Sequence, residues 1–501
     1  MGRIIYINLS DKHITEKTND TKDYGRGLVI KLIKEYSSRE AHRFDDENVI
    51  VLVPGLFSGT LAPSTGRLLA CTKGSKDNDL LVTNIAGTIS QKLASLNIEA
   101  IILSGRNMEK IPVSIIIDQN NISLEYIEEI KGAEVSLTIE KIRQLYGKNC
   151  GMIGIGPSGE NMLPVSSVFS TYPEGKKPSF YCARNGFGDV FGYKKVKAVV
   201  VNNKHHFNAP VYDKENFKKR SKELSRLIID HPICGKALPG LGSITLIKMM
   251  QQGKFIDYDE VKNERKSKND KLNRACSPLC VIGCLNKHAK DGDDFYSSPV
   301  ESEASAALYE AFFIDDKEYI KDFINRCYGL GIDCMEFIFS CNIYFKLQNI
   351  EGNIEELDKA IEAIKNMTLN GRILGSKTDG IYNLFRDRKE FKKMVSRPSV
   401  VEEKNFNINI PSRKAVDMPN LSDLEYLYAY VILLENLGFC LFSSFAFLDS
   451  DNALTLLSDM YYYKTGEKID EISLLKYSIN SLNNEKKIPN FIKILYRYFD
   501  R

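Results

Sequence analysis

The hydrophobic periodicity of this 501-residue chain changes once, and that change constrains the fold more than any single motif. Up to about residue 202, short β-branched runs recur between Gly, Pro and Asn: IIYINL at 4–9, VIVLV at 49–53, EAIILSG at 99–105, PVSIIID at 112–118 and VKAVVV at 196–201. Runs of this length and composition read as strands. From about residue 213 the apolar residues recur at three- and four-residue intervals, as in NFKKRSKELSRLIIDH, ESEASAALYEAFF, EYIKDFINRCYGLG and IEELDKAIEAIKNM. That is the pattern of amphipathic helices. The sequence therefore predicts an α+β chain, with a β-rich N-terminal domain over residues 1–205 and an α-helical body over 206–501. Two polar stretches, 263–274 and 386–405, read as surface loops or short solvated helices. No repeat of solenoid period stands out.

Composition excludes several classes of function. A chain that is 43% hydrophobic and 27% charged, with only 16 prolines, buries a core rather than staying disordered. Its net charge of +3 gives no global electrostatic grip on nucleic acid, so any basic patch has to be local. The longest apolar run, Tyr426 to Leu434, is stopped by Glu435 and Asn436, well short of the roughly 20 residues that a membrane-spanning helix needs. The N-terminus, MGRIIYINLS, has one positive charge and then a short alternating strand where a signal peptide would have an apolar core. The expected location is the cytoplasm.

In that compartment eleven cysteines point to thiols or metal ligands before disulfides. Cys71, Cys150, Cys182, Cys234, Cys327, Cys334 and Cys341 are scattered and read as small buried hydrophobes. Cys276, Cys280 and Cys284 are different, because they fall within nine residues in RACSPLCVIGCLN. A tight triplet with Pro278 and Gly283 between the thiols suits the curled loop of an iron–sulfur cluster, with the distant Cys440 as fourth ligand. Structural zinc, which usually takes paired short spacings, is the rival, and unligated thiols are the third reading. The six histidines end at His288, so nothing beyond that residue can supply an imidazole.

Several phrases taken together carry a family likeness: PGLFSGTLAPSTGR at 54–67, TNIAG at 83–87, IGIGPSGEN at 153–161 and CARNGFGDVFGYKKVKAVVV at 182–201. ESEASAALYEAFFIDD and NRCYGLGID, within 301–333, and LENLGFC at 434–440 extend it into the helical body. In these phrases the chain resembles the aldehyde ferredoxin oxidoreductase family of tungsten or molybdenum pterin enzymes. The resemblance implies a cofactor-binding saddle followed by a helical body of two interleaved domains. It also implies a tungstopterin or molybdopterin, a 4Fe-4S cluster, and a magnesium ion bridging the pterin phosphates. Such a cofactor needs cations, backbone donors and small residues that allow close approach. Carried over position by position, Arg67 would sit between pterin and cluster, and Asn84 would help hold the magnesium. Ala86, Tyr181, Ala183 and Arg184 would touch pterin. Asp333 and Tyr328 would belong to one pterin-binding turn, with Tyr328 in place of the family's acidic or amide residue. Glu435, Asn436 and Leu441 would flank the second turn. Arg67 and Arg184, each taken alone, read equally well as solvated or structural arginines.

The same carry-over makes Cys276, Cys280, Cys284 and Cys440 the cluster ligands, with one departure. The family's first spacing is Cys-x2-Cys, which puts Ser277 where a thiolate is expected and Cys276 one residue away; a bulge at Pro278 would bring Cys276 into range. Glu301 and Glu303 head an expected helix, where ordinary dipole-favourable placement would explain them, but the family's proposed catalytic carboxylate falls on Glu303. Between about 385 and 425 the family carries an Arg-Gly and His phrase for which this chain has only a short charged stretch. The implied activity is oxidation of an aldehyde or related oxo substrate, with electrons passed to ferredoxin. A non-aldehyde substrate and a non-catalytic cofactor-holding or electron-relay protein are the alternatives. Lys262, Arg265, Lys266, Lys268, Lys271 and Arg274, just before the thiol loop, would steer an acidic ferredoxin. Neither nucleic acid nor membrane is an expected partner, and a homodimer is left open.

Overall fold

The computed structural model describes residues 2–74, 80–173, 178–203, 207–252, 274–290, 293–296, 301–389, 410–416 and 421–485. Its N-terminal part is one arrangement built twice. The first half runs β1 (Arg3–Asn8), β2 (His13–Thr18), α1 (Gly25–Tyr36), β3 (Ile50–Pro54), β4 (Leu68–Lys73), β5 (Leu80–Ile85), α2 (Ile89–Ser95) and β6 (Ile98–Ser104). The second runs β7 (Val113–Ile117), β8 (Ile122–Tyr126), α3 (Val135–Tyr146), β9 (Gly151–Ile155), the single turn α4 (Pro157–Glu160), β10 (Val168–Thr171), β11 (Phe180–Cys182), α5 (Gly188–Tyr193) and β12 (Val196–Val201). Each half forms a six-stranded sheet, ordered β2-β1-β6-β3-β4-β5 in the first and β8-β7-β12-β9-β10-β11 in the second. The registers agree down to the irregularities. In the parallel pair β1–β6, Arg3 pairs with Ile98 and Ile4 with Ala100, skipping Glu99. In β7–β12, Val113 pairs with Val196 and Ser114 with Ala198, skipping Lys197.

The side-chain alternation of a strand explains how the first sheet is covered. Ile5, Ile7, Leu52 and Ile101 face a core that includes Ile115, Ile117, Ile153 and Val199 of the second sheet. Ile4, Val51, Val53 and Ile102 face the other way, onto Leu28, Leu32 and Ile33 of α1. The strand runs expected from the sequence are therefore present, but the duplication was not expected.

The helical body is α6 (Lys214–Asp230), a π-helical turn (Pro232–Ala237), α7 (Leu238–Leu241), α8 (Ile244–Gln252), α9 (Glu301–Phe312), α10 (Lys317–Leu330), α11 (Cys334–Gln348), α12 (Ile354–Lys365), α13 (Leu369–Leu374), α14 (Lys377–Phe385), α15 (Asp423–Leu437), α16 (Ser444–Leu448), α17 (Ala453–Thr465) and α18 (Glu471–Glu485). A small hairpin, β13 (Lys287–Lys290) and β14 (Asp293–Tyr296), follows the thiol loop. Phe217 and Leu224 of α6 share one core with Tyr430, Leu433, Leu457 and Leu474 from α15 to α18. Phe323, Phe337 and Ile361 of α10 to α12 belong instead to the core shared with the sheets. The chain thus visits one helical group, leaves it for the other and returns, which is the interleaving expected.

Candidate functional site

Two helix ends dock on the two sheets in the same way. Helix α10 stops at Gly331 (φ +75°) and α15 at Gly438 (φ +92°), left-handed positions that favour glycine. Gly438 O accepts from Arg67 N–H, and Cys440 N–H donates to Ser64 O. At the equivalent places Gly331 O accepts from Ser167 N–H, and Asp333 N–H donates to Val165 O. Each turn also meets a strand-end glycine. A Cβ on Gly55 would lie 2.1 Å from Gly438 Cα, and one on Gly156 would lie 2.8 Å from Gly331 N. Backbone can approach this closely only because both partners lack a side chain.

By strand register Arg67 corresponds to Ser167 and Asn84 to Cys182; by distance from the turn glycines Glu435 corresponds to Tyr328 and Cys440 to Asp333. The first half is strongly polar. Asn84 Nδ2 donates to Glu435 Oε1 at 3.1 Å, and Arg26 Nε donates to Glu435 Oε2 at 2.9 Å. Asn436 Oδ1 accepts from the backbone of Arg26 at 2.8 Å. In the second half Tyr328 is buried, its hydroxyl accepts from Cys334 Sγ, and its carbonyl accepts from Cys182 Sγ. Asp333 caps α11 by accepting from Met335 and Glu336 N–H, and it also accepts from Asn185 N–H at 3.0 Å.

The halves are joined near the edge strands β5 and β11. Tyr181, stacked on Tyr172 at 5.7 Å, accepts at its hydroxyl from Ala86 N–H. Thr83 Oγ1 donates to Arg184 O at 2.8 Å across the halves, while within the second half Ala183 N–H donates to Val168 O at 2.9 Å. Burial holds the Tyr181 phenol above its ordinary pKa.

The thiol loop reaches this seam from the body. Cys276, Cys280, Cys284 and Cys440 are all buried and free of disulfides. Cys276 and Cys280 are hydrogen-bonded to each other, which pulls the Cys280 thiol down and pushes Cys276 up; Gly283 N–H adds a 3.4 Å bond to Cys280 Sγ. Leu279 (φ +56°) and Gly283 (φ +65°) supply the curl. Arg67 donates to Cys440 Sγ at 3.0 Å. Burial opposes the arginine's charge, but Cys440, Cys276 and Tyr181 outweigh it and hold its pKa above the ordinary value. Among the described residues no three His, Cys, Asp or Glu side chains close around a point tightly enough for a single metal ion.

Glu303 lies in the first turn of α9. Its Oε2 is buried without a hydrogen-bond partner. Burial raises its pKa to about 7, against the opposing pull of Arg184 and Ser243. Glu301 accepts instead from Asn286 Nδ2 at 2.5 Å.

Of the residues singled out in the sequence, Arg67, Cys276, Cys280 and Cys440 converge, Asn84 meets Glu435, and Arg184 faces Glu303. Leu441 is 54% exposed beside Cys440. Arg274 is only 4% exposed and its carbonyl accepts from Leu285 N–H, so it opens the thiol loop rather than lying on a basic surface. Lys262, Arg265, Lys266, Lys268 and Lys271 lie outside the described residues. The sequence reading missed Ser64 (φ +58°), whose N–H donates to Leu279 O, whose carbonyl accepts from Cys440 N–H and whose Oγ accepts from Val281 N–H. It thereby ties the triplet loop to Cys440. Its signal was weak, a serine in the turn-forming run APSTG.

The family described as "Aldehyde ferredoxin oxidoreductase, N-terminal domain" matches residues 4–203, the whole duplicated part. Over those residues the chain matches the aldehyde ferredoxin oxidoreductase family. Among curated relatives, the tungsten-containing aldehyde ferredoxin oxidoreductase of Thermococcus kodakarensis is 26% identical over 356 residues. That match covers 66% of this chain and 56% of the relative. The Pyrococcus furiosus protein of the same name is 27% identical over 352 residues, with the same shares. The chain thus spans little more than half the length of these curated relatives. The active site complex BamBC of benzoyl coenzyme A reductase, solved with 1,5-dienoyl-CoA, superimposes with a TM-score of 0.71. It covers 97% of this chain and 88% of its own at 15% identity, a likeness of fold alone.

Proposed function

We propose that this chain is a tungsten- or molybdenum-pterin iron–sulfur oxidoreductase that acts on an aldehyde or related oxo substrate and passes electrons to ferredoxin. The observation that carries this reading is the Arg67 guanidinium standing on Cys440 Sγ, where the thiol loop meets the paired glycine turns. Cys276, Cys280, Cys284 and Cys440 would hold a 4Fe-4S cluster, with Cys276 in place of the thiol displaced by Ser277. Arg67, Asn84, Ala86, Tyr181, Ala183, Arg184, Tyr328, Asp333 and Leu441 would line the pterin site, Asn84 also helping to hold magnesium. The cradles at Gly55–Gly438 and Gly156–Gly331 and the Arg67 charge fit a flat, anionic group. Such a cofactor, when bound, supplies a metal that takes up the electron pair from the substrate and hands electrons on singly.

The chain's own contribution to chemistry is Glu303. With a pKa of about 7 and an unpartnered buried oxygen, its carboxyl is populated in both protonation states near neutral pH and can hold or release a proton at Oε2. No histidine follows residue 288, which favours as a second reading a substrate other than a simple aldehyde. The test is turnover by anaerobically purified, metal-loaded protein with a low-potential viologen dye and a panel of aldehydes, carboxylic acids and other oxo compounds. Dye reduction or oxidation with at least one class is expected. A loaded protein inert toward all of them would contradict the reading.

A further inference from the structure

Helix α9 begins beside a tight turn of the body. Gly242 (φ +80°) turns the chain so that Ser243, 1% exposed, faces the helix start. Ser243 Oγ accepts from Ser302 N–H at 3.4 Å and so satisfies one of the backbone donors that a helix start leaves unbonded. Ser243 also favours the charged form of the Glu303 carboxyl group. A serine hydroxyl carries one donor and two acceptor sites. With an acceptor site used by Ser302, its hydrogen is free for the carboxylate. Ile244 and Ile247, the next turn of α8, pack on Ala306, one turn further along α9, and hold the two elements together.

The other groups facing Glu303 come from three places. Arg184, after β11, favours its charged form; Glu301, on the same helix, opposes it. Cys334, at the head of α11, lies within electrostatic reach, with its thiol pushed up by burial. Of these groups Arg184 belongs to the N-terminal domain, whereas Ser243 is anchored to the backbone of α9 itself.

We propose that Ser243 is a positioning residue for Glu303, bridging the Ser302 N–H and the Glu303 carboxyl group and so fixing the rotamer from which that carboxyl exchanges its proton. The inference rests on the reading of Glu303 as the proton-transfer group. A hydrogen bond donated to a carboxylate favours the ionised form, so removing it raises the pKa.

The test is an isotope-edited infrared titration of the holoenzyme, with the Glu303 band assigned by its loss in Glu303→Gln. Ser243→Ala should move the midpoint upward by on the order of one unit, and Ser243→Thr should keep it at the wild-type value. Should Ser243→Ala fail to fold, Ser243→Gly gives the same readout. An unmoved midpoint in the variant without a hydroxyl, or a threonine variant that shifts like alanine, overturns the proposal. If the midpoint moves while the acid limb of the pH–rate profile stays put, the positioning role stands and the catalytic role of Glu303 fails.

Discussion

Arg67 and Cys440 are hydrogen-bonded at 3.0 Å across 373 positions of sequence. The contact ties the duplicated domain to the turn that follows α15. Cys440→Ala removes the arginine's partner and one of the four grouped thiols. The expected result is loss of iron and of the visible charge-transfer spectrum, although the other three thiols lie over 150 positions away. Iron content unchanged from wild type would remove Cys440 from the ligand set.

The glycine pair beneath that joint makes a second prediction. A methyl group on Gly55 would lie 2.1 Å from Gly438 Cα, backbone that cannot rotate out of the way. Gly55→Ala should cost about 1–3 kcal/mol or more of stability by overpacking, read as a lower melting temperature. Gly240, which has open space around it, serves as the control. Equal effects of Gly55→Ala and Gly240→Ala would contradict the close approach.

Glu303 sets a third. Its pKa in the folded chain, about 7, lies above the ordinary 4.5. A folded state that binds the proton more tightly is most favoured at low pH and loses that advantage as pH rises from the unfolded to the folded pKa. Glu303→Gln should therefore leave stability near wild type at about pH 4 and raise it relative to wild type above about pH 7, by on the order of 1–3 kcal/mol. Thermal unfolding across that window checks the sign. A variant less stable than wild type at the alkaline end would contradict it.

The same substitution tests chemistry. General acid–base assistance is worth about 10²–10⁴-fold, so Glu303→Gln should lower turnover on a true substrate by a factor in that range. Metal and iron content should stay as in wild type. Simple aldehydes should be poor substrates of the wild type, because no imidazole follows residue 288. Brisk aldehyde oxidation would refute that part, and an equally active glutamine variant would take Glu303 out of the mechanism.

Much of the architecture was legible because each layer has its own period. VKAVVV is expected and found as a strand over 196–201, and the helix expected from residue 301 runs to Phe312. The duplication was not legible, since what the halves share is backbone register. Leu52 corresponds to Ile153, but Asn84 corresponds to Cys182 and Glu435 to Tyr328, so side-chain identity hides the repeat. Gly55, Gly156, Gly331 and Gly438 keep their identity, because their places require the absence of a Cβ. In the candidate site, Arg67 was singled out through the family resemblance and Cys276, Cys280 and Cys284 through their spacing. Ser64 and Ser243 were not, because their roles arise from backbone donors and acceptors distant in sequence.

The central claim is that this chain carries a pterin-bound metal beside an iron–sulfur cluster. Its most direct test is elemental analysis of protein purified anaerobically from a host that loads a known family enzyme produced in parallel. The account predicts tungsten or molybdenum together with about four iron atoms per chain. Neither metal in this chain, with the parallel enzyme fully loaded, would contradict it.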